Sequence, residues 1–146
     1  MDEMILKILN NIPSSSQPEV FVQSVLNRLT SFGYPPKEAD LWELSFVMLG
    51  VENRIRNSCN TTSIPEGLYN VAVDMICGQF LMIRKNTGRL ELTDLDLSAA
   101  ITSISEGDVS ISFDADATDE QKLNRLINYL MTKGEGDFVC YRKLKW

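Results

Sequence analysis

Carboxylates are the side chains that cluster most densely in this chain. The run Asp114-Ala115-Asp116-Ala117-Thr118-Asp119-Glu120 sets acids close together in a pattern that could ligate calcium. An EF-hand loop needs glycine at its sixth position and glutamate at its twelfth. Those positions hold Asp119 and Arg125. Acids at the start of a helix stabilise its positive end, which accounts for them without a metal. Cys59, Cys77 and Cys140 share no close spacing and have no histidine partner, because the chain contains no histidine. They read as reduced thiols of a cytoplasmic protein, with Cys77 a small core residue. The lack of histidine removes the commonest general base and the commonest metal ligand. Gly134-Glu135-Gly136 follows a helical pattern instead of opening one, so it terminates a helix and does not cradle phosphate. No catalytic residue, cofactor or metal is expected. A cofactor-free carboxylate enzyme is the weakest reading, since its acids crowd one exposed region.

Charge is unevenly spread. The chain of 146 residues carries a net charge of −6. From Leu90 to Glu120 there are nine acids and no base, so the remainder is net positive. Arg142, Lys143 and Lys145 lie in the tail. The acidic band is either a solvated surface or one half of a charge match between copies or partners. An acidic protein repels duplex DNA, which argues against sequence-specific DNA recognition. The length suits one domain with a real core, and the apolar and charged fractions, 44% and 23%, are those of a globular protein. No apolar run is long enough for a membrane span, and Met1-Asp2-Glu3 is unlike a signal peptide.

The elements that must position these residues are mostly helical. Met4, Ile5, Ile8 and Leu9 predict a short helix over 2–11. Ser16 and Glu19 form a capping-box pattern before the stripe Phe21, Val22, Val25, Leu26 and Leu29, which Gly33 ends. Asp40 begins a helix with two apolar stripes: Leu41, Leu44, Met48, Val51 and Ile55, then Trp42, Phe46 and Leu49. Such a helix is central to a bundle or lies at an interface. Ser63 and Glu66 form a second capping-box pattern, followed by the stripe from Leu68 to Ile83 and a stop at Asn86-Thr87-Gly88. Leu90 to Leu97 reads as extended chain or a weak helical turn. Thr118 and Gln121 cap a last helix carrying Leu123, Leu126, Ile127, Leu130 and Met131. The main helices are expected near 17–32, 40–57, 65–85 and 118–132.

One stretch breaks the helical rhythm. Val109, Ile111 and Phe113 alternate with Ser110 and Ser112, a period of two with one apolar face. Ser103, Ile104 and Ser105 precede the turn signal Glu106-Gly107-Asp108. A short β-hairpin or extended arm is expected, leaning on its own helices or on another copy. The end is also unusual, because Phe138, Val139, Tyr141, Leu144 and Trp146 make it apolar and aromatic. It folds onto its own core or docks on a neighbour. The resulting class is mainly α: a small helical bundle (core about 17–133) within one domain (1–146), with a protruding arm (about 101–114) and an extended C-terminal tail (137–146).

Several motifs together resemble the small head–tail connector (adaptor) proteins of tailed phages and prophages of Gram-positive bacteria. The shared pattern runs through residues 51–60 (Val51 to Asn60), Ile64-Pro65-Glu66-Gly67-Leu68, residues 73–78 (Val73 to Gly78) and Gly88. It continues through Ser103 to Phe113, with its Ser-Ile-x-Glu-Gly-Asp core, and ends at Tyr141-Arg142-Lys143-Leu144-Lys145-Trp146. The resemblance implies a structural protein, no enzyme, forming a dodecameric ring of itself below the portal. The ring would join the portal to a head-completion (stopper) or tail protein, with double-stranded DNA passing through and no membrane involved. It would sit in the virion neck after assembly in the host cytoplasm.

A ring needs a head-to-tail interface. On this reading the arm (Ser103, Ile104, Glu106, Gly107, Asp108, Val109, Ile111, Phe113) joins neighbouring subunits. Tyr141, Arg142, Leu144 and Trp146 meet the portal. Glu91, Asp94, Asp96, Glu106, Asp108, Asp114 and Asp116 are candidates to face the channel. The alternative is a small cytoplasmic helical regulator or antitoxin-like binding protein.

Overall fold

A computed structural model describes residues 2–11, 19–90, 95–98, 100–102 and 118–138. Five long helices carry the fold: α1 (Asp2–Asn11), α2 (Glu19–Ser31), α3 (Leu41–Cys59), α4 (Tyr69–Asn86) and α5 (Asp119–Thr132). Short 3-10 turns at Glu38–Asp40, Glu66–Leu68 and Glu135–Asp137 bend the chain between or after them. No strand occurs among the described residues. The hairpin stretch 103–113 lies outside them.

The periodic stripes face inward as read from the sequence. Phe21, Val22, Val25, Leu26 and Leu29 of α2 and Leu41, Leu44, Met48, Val51 and Ile55 of α3 are buried in one apolar core. Leu123, Leu126, Ile127 and Leu130 of α5 join them, and so do Ile5 and Ile8 of α1. The core therefore begins before residue 17. Helix α4 is the central element and touches α2, α3 and α5. From Ala72 to Leu81 nearly all of its residues are buried, including Asp74, Cys77 and Gly78. Each large apolar side chain enclosed in this way contributes about 1.5–3 kcal/mol. Gly78 lets α5 approach, since a Cβ there would sit 2.9 Å from Leu130 Cβ and Met131 Cγ.

The helix ends partly follow the sequence signals. Gln121 donates its amide N–H to Thr118 Oγ1 at 3.2 Å, and Thr118 N–H returns a bond to Gln121 Oε1 at 3.0 Å, the reciprocal cap expected of α5. Asn60 (φ 55°) and Gly33 (φ 85°) supply the left-handed residues after α3 and α2. The box expected at Ser63 does not form. Pro65 caps the 3-10 turn with no side-chain bond, and the Ser63 carbonyl accepts from Thr61 Oγ1 at 2.7 Å. Asp40 precedes α3, but its carboxylate turns inward and makes no cap bond to that helix. Ser16 lies outside the described residues.

After α4 the chain is pinned back onto α2. Asp96 N–H donates to the Phe32 carbonyl at 2.9 Å, Leu95 is buried, and Ala100 N–H bonds the Asp96 carbonyl at 2.9 Å. Residues 97–98 and 100–102 are helical, so the chain around residue 101 continues a helix and does not open the arm. Gly33 is required here twice over: its φ is positive, and a Cβ would lie 2.4 Å from Asp96 N. Among the described residues no helix is long and apolar enough to cross a membrane.

Candidate functional site

Three arrangements bring charged or aromatic side chains together, and the first is a closed structural network. Asp40 is fully buried and pairs with Arg84 from the last turn of α4. Its Oδ2 also accepts from Tyr34 Oη at 3.1 Å and from Lys37 N–H at 3.0 Å. Arg84 donates to Tyr34 Oη at 2.9 Å and lies over the Phe80 ring at 5.5 Å. Burial opposes the charge of Arg84, but its bond to Tyr34 and the Asp40 carboxylate outweigh this and raise its pKa. Burial also raises the Tyr34 hydroxyl, reinforced by the Asp40 charge. The network ties the chain before α3 to the end of α4.

The second arrangement centres on Asp74, a buried carboxylate on an otherwise apolar face of α4. Arg28 Nε donates to Asp74 Oδ1 at 3.0 Å, and Lys133 pairs with Oδ2. Arg28 also stacks on Phe32 at 4.9 Å and Lys133 on Tyr129 at 5.3 Å. Ser24, Asn27, Ser31 and Asn70 complete a groove of about 490 Å³. Two cations on one carboxylate join α2, α4 and the turn after α5. The hydroxyls of Ser24 and Ser31 in this groove donate to the Val20 and Arg28 carbonyls at 3.0 and 2.7 Å.

The third arrangement is the outer side of α3. Trp42 and Phe46 are 69% and 72% exposed, one turn apart, with Leu49 half-buried beyond them. Gly50, on the same ridge, has no atom within 4 Å of where its Cβ would be. These aromatics contribute nothing to the protomer's core. Large exposed aromatic side chains are the usual anchors of protein–protein contacts. Helix α3 is thus not the centre of the bundle, a place taken by α4, and of its second stripe Trp42 and Phe46 are surface while Leu49 packs against the core.

Of the residues assigned to channel, arm and portal contact, Asp96 alone lies among the described residues. It is exposed, while its backbone holds the α2 turn. Glu91, Asp94, Ser103, Ile104, Glu106, Gly107, Asp108, Val109, Ile111, Phe113, Asp114, Asp116, Tyr141, Arg142, Leu144 and Trp146 lie outside them. The start of the tail is described: Phe138 is buried, and its carbonyl accepts from Cys59 Sγ at 3.6 Å. The start of the tail is therefore fixed on the protomer's own core.

Cys59 and Cys77 are free and buried, and burial pushes both thiols above their ordinary pKa. Among the described residues no group of three metal-ligating side chains occurs. The ion-pair networks were not read from the sequence. Their one signal was polarity inside a stripe, at Asp74, and at Asp40 directly before one.

Fold and surface define a class: a helical bundle stapled by buried ion pairs, with one aromatic face turned outward. No family model matches the chain, and no curated protein or solved structure does.

Proposed function

We propose that this chain is a structural phage neck protein, an adaptor whose ring joins the portal to the head-completion or tail proteins and lines part of the DNA channel. The observation that carries the reading is the Ser-Ile-x-Glu-Gly-Asp core at Ser103–Asp108 together with the Tyr-Arg-x-x-x-Trp end at Tyr141–Trp146, in this order and separation. A mainly helical protomer suits it, and so does the exposed Trp42–Phe46 face, which gives an oligomer apolar surface to bury. In this reading the arm at 103–113 lies on the next subunit, where an alternating apolar edge finds a partner at fixed register. The tail from Tyr141 to Trp146 meets the portal, where even modest aromatic burial multiplies around a ring. Acids between Glu91 and Asp116 face the lumen, because contacts to phosphate need Lys or Arg and a negative wall lets DNA slide.

The test is to mix the purified protein with purified portal and examine the complexes by electron microscopy. Wild type should decorate the portal vertex as a ring. Deleting Leu144–Trp146 should leave a folded protein that no longer joins the portal. Replacing Ile111 and Phe113 by serine should weaken ring formation with the helices intact. A protein that stays monomeric or dimeric and ignores the portal is instead a small helical regulator, which the same aromatic face would also suit.

A further inference from the structure

We infer that the groove around Asp74 is an oxyanion site, which takes a phosphate or carboxylate group of a ligand between α2, the start of α4 and the turn after α5. The inference is independent of the neck reading above. The residues that line the groove carry two positive charges, on Arg28 and Lys133, and one negative, on Asp74. One carboxylate cannot neutralise two cations, so the lining keeps a surplus of one positive charge. Both Asp74 oxygens are already engaged, Oδ1 by Arg28 and Oδ2 by Lys133. Access differs as well. The Asp74 side chain is 6% exposed, whereas those of Arg28 and Lys133 are 27% and 29% exposed. A ligand entering the groove therefore meets the cations and not the carboxylate between them. A cation there is repelled, and an anion is attracted.

The donors in the lining point to the same ligand. The Lys133 ammonium has three N–H donors, of which Asp74 Oδ2 takes one. Asn27 Oδ1 accepts from Gln23 Nε2 at 2.9 Å, which leaves the Asn27 NH2 group to donate. Asn70 adds a second side-chain amide at the exposed rim. An oxyanion is the partner that uses such donors best, because bonds from N–H groups to a charged oxygen are about twice as strong as neutral ones. Binding also breaks no existing pair. Asp74 stays bridged by its two cations while the ligand takes the surplus charge. The volume of about 490 Å³ falls within the range of small-molecule sites, so the oxyanion it takes is one end of a larger group.

Titration followed by proton–nitrogen correlation spectra tests this directly. The full chain is titrated with inorganic phosphate and, separately, with acetate, at an ionic strength held constant with sodium chloride. The side-chain amides of Asn27 and Asn70 and the backbone amide of Lys133 should shift and saturate. Saturation by phosphate alone assigns a phosphoryl group, by acetate alone a carboxylate, and by both an oxyanion site that accepts either. Two variants check the cause. Asn70→Asp puts a carboxylate on the exposed rim and leaves the Asp74 pairs intact, so it should weaken binding at least about tenfold. Lys133→Met removes the surplus charge and leaves Asp74 paired with Arg28, so it should weaken binding by a similar factor once circular dichroism establishes that it is folded. Neither anion saturating the groove signals overturns the site. So does Asn70→Asp binding as tightly as wild type, whatever the fate of Lys133→Met. Portal decoration is unaffected by either result, so the neck reading stands or falls separately.

Discussion

Helices α3 and α4 are nearly equal in length, 19 and 18 residues, and each carries apolar residues on more than one face and a glycine in its interior. Their surroundings are opposite. Around α4 the neighbours close in, so that Phe80 is fully buried and Gly78 is pressed against α5. Around α3 one side is closed and the other open, so that Phe46 is exposed and Gly50 meets nothing. The difference teaches that a two-faced pattern fixes how much apolar surface a helix must hide. It does not fix whether the same chain hides it. In α4 the extra face stabilises the protomer. In α3 it stays open to solvent at Trp42 and Phe46.

The comparison breaks most sharply at its two phenylalanines. Phe80→Ala should cost about 3–5 kcal/mol in urea unfolding, since it empties a packed site beneath Tyr34 and Arg84. Phe46→Ala should change stability by less than about 0.5 kcal/mol. Similar losses at both sites would mean that the outer face of α3 is covered within the protomer.

The glycines give a smaller contrast of opposite sign. Gly78→Ala should destabilise by about 1–3 kcal/mol, because the added methyl must displace Leu130 or Met131. Gly50→Ala should stabilise the monomer by up to about 1 kcal/mol through helix propensity alone. Equal effects in thermal melts would remove the distinction between the two helices.

The enclosed face also has a signature in pH. Burial raises the pKa of Cys77 on α4, of Cys59 at the end of α3, and of the Tyr34 hydroxyl. The unfolded chain releases these protons first as pH rises. Stability present below about pH 9 is therefore lost as pH climbs above it, by at most about 1.4 kcal/mol per pH unit for each proton. Cys77→Ala should flatten the decline measured between pH 9 and 11. An unchanged slope would show that Cys77 reaches solvent.

Much of the bundle was legible before any coordinates. The stripes of α2, α3 and α5, the Gly33 stop and the Thr118–Gln121 cap depend on neighbours within a turn of helix, and local spacing encodes them. The Ser63 box did not form because the turn before α4 begins at Pro65, two residues later than the box requires. The assigned functional positions, Asp96 apart, fall outside the described residues, so for them the reading still rests on motif order.

What the sequence determined by itself was class and periodicity: a mainly helical chain and its inward stripes. Tertiary structure decided which helix became the centre and which polar groups found each other. Asp74 meets Arg28 and Lys133 across 46 and 59 positions, and Asp40 meets Arg84 across 44. No local spacing announces such pairs. They exist because a carboxylate taken out of water must be matched by a cation wherever packing brings one, and packing is a property of the whole chain.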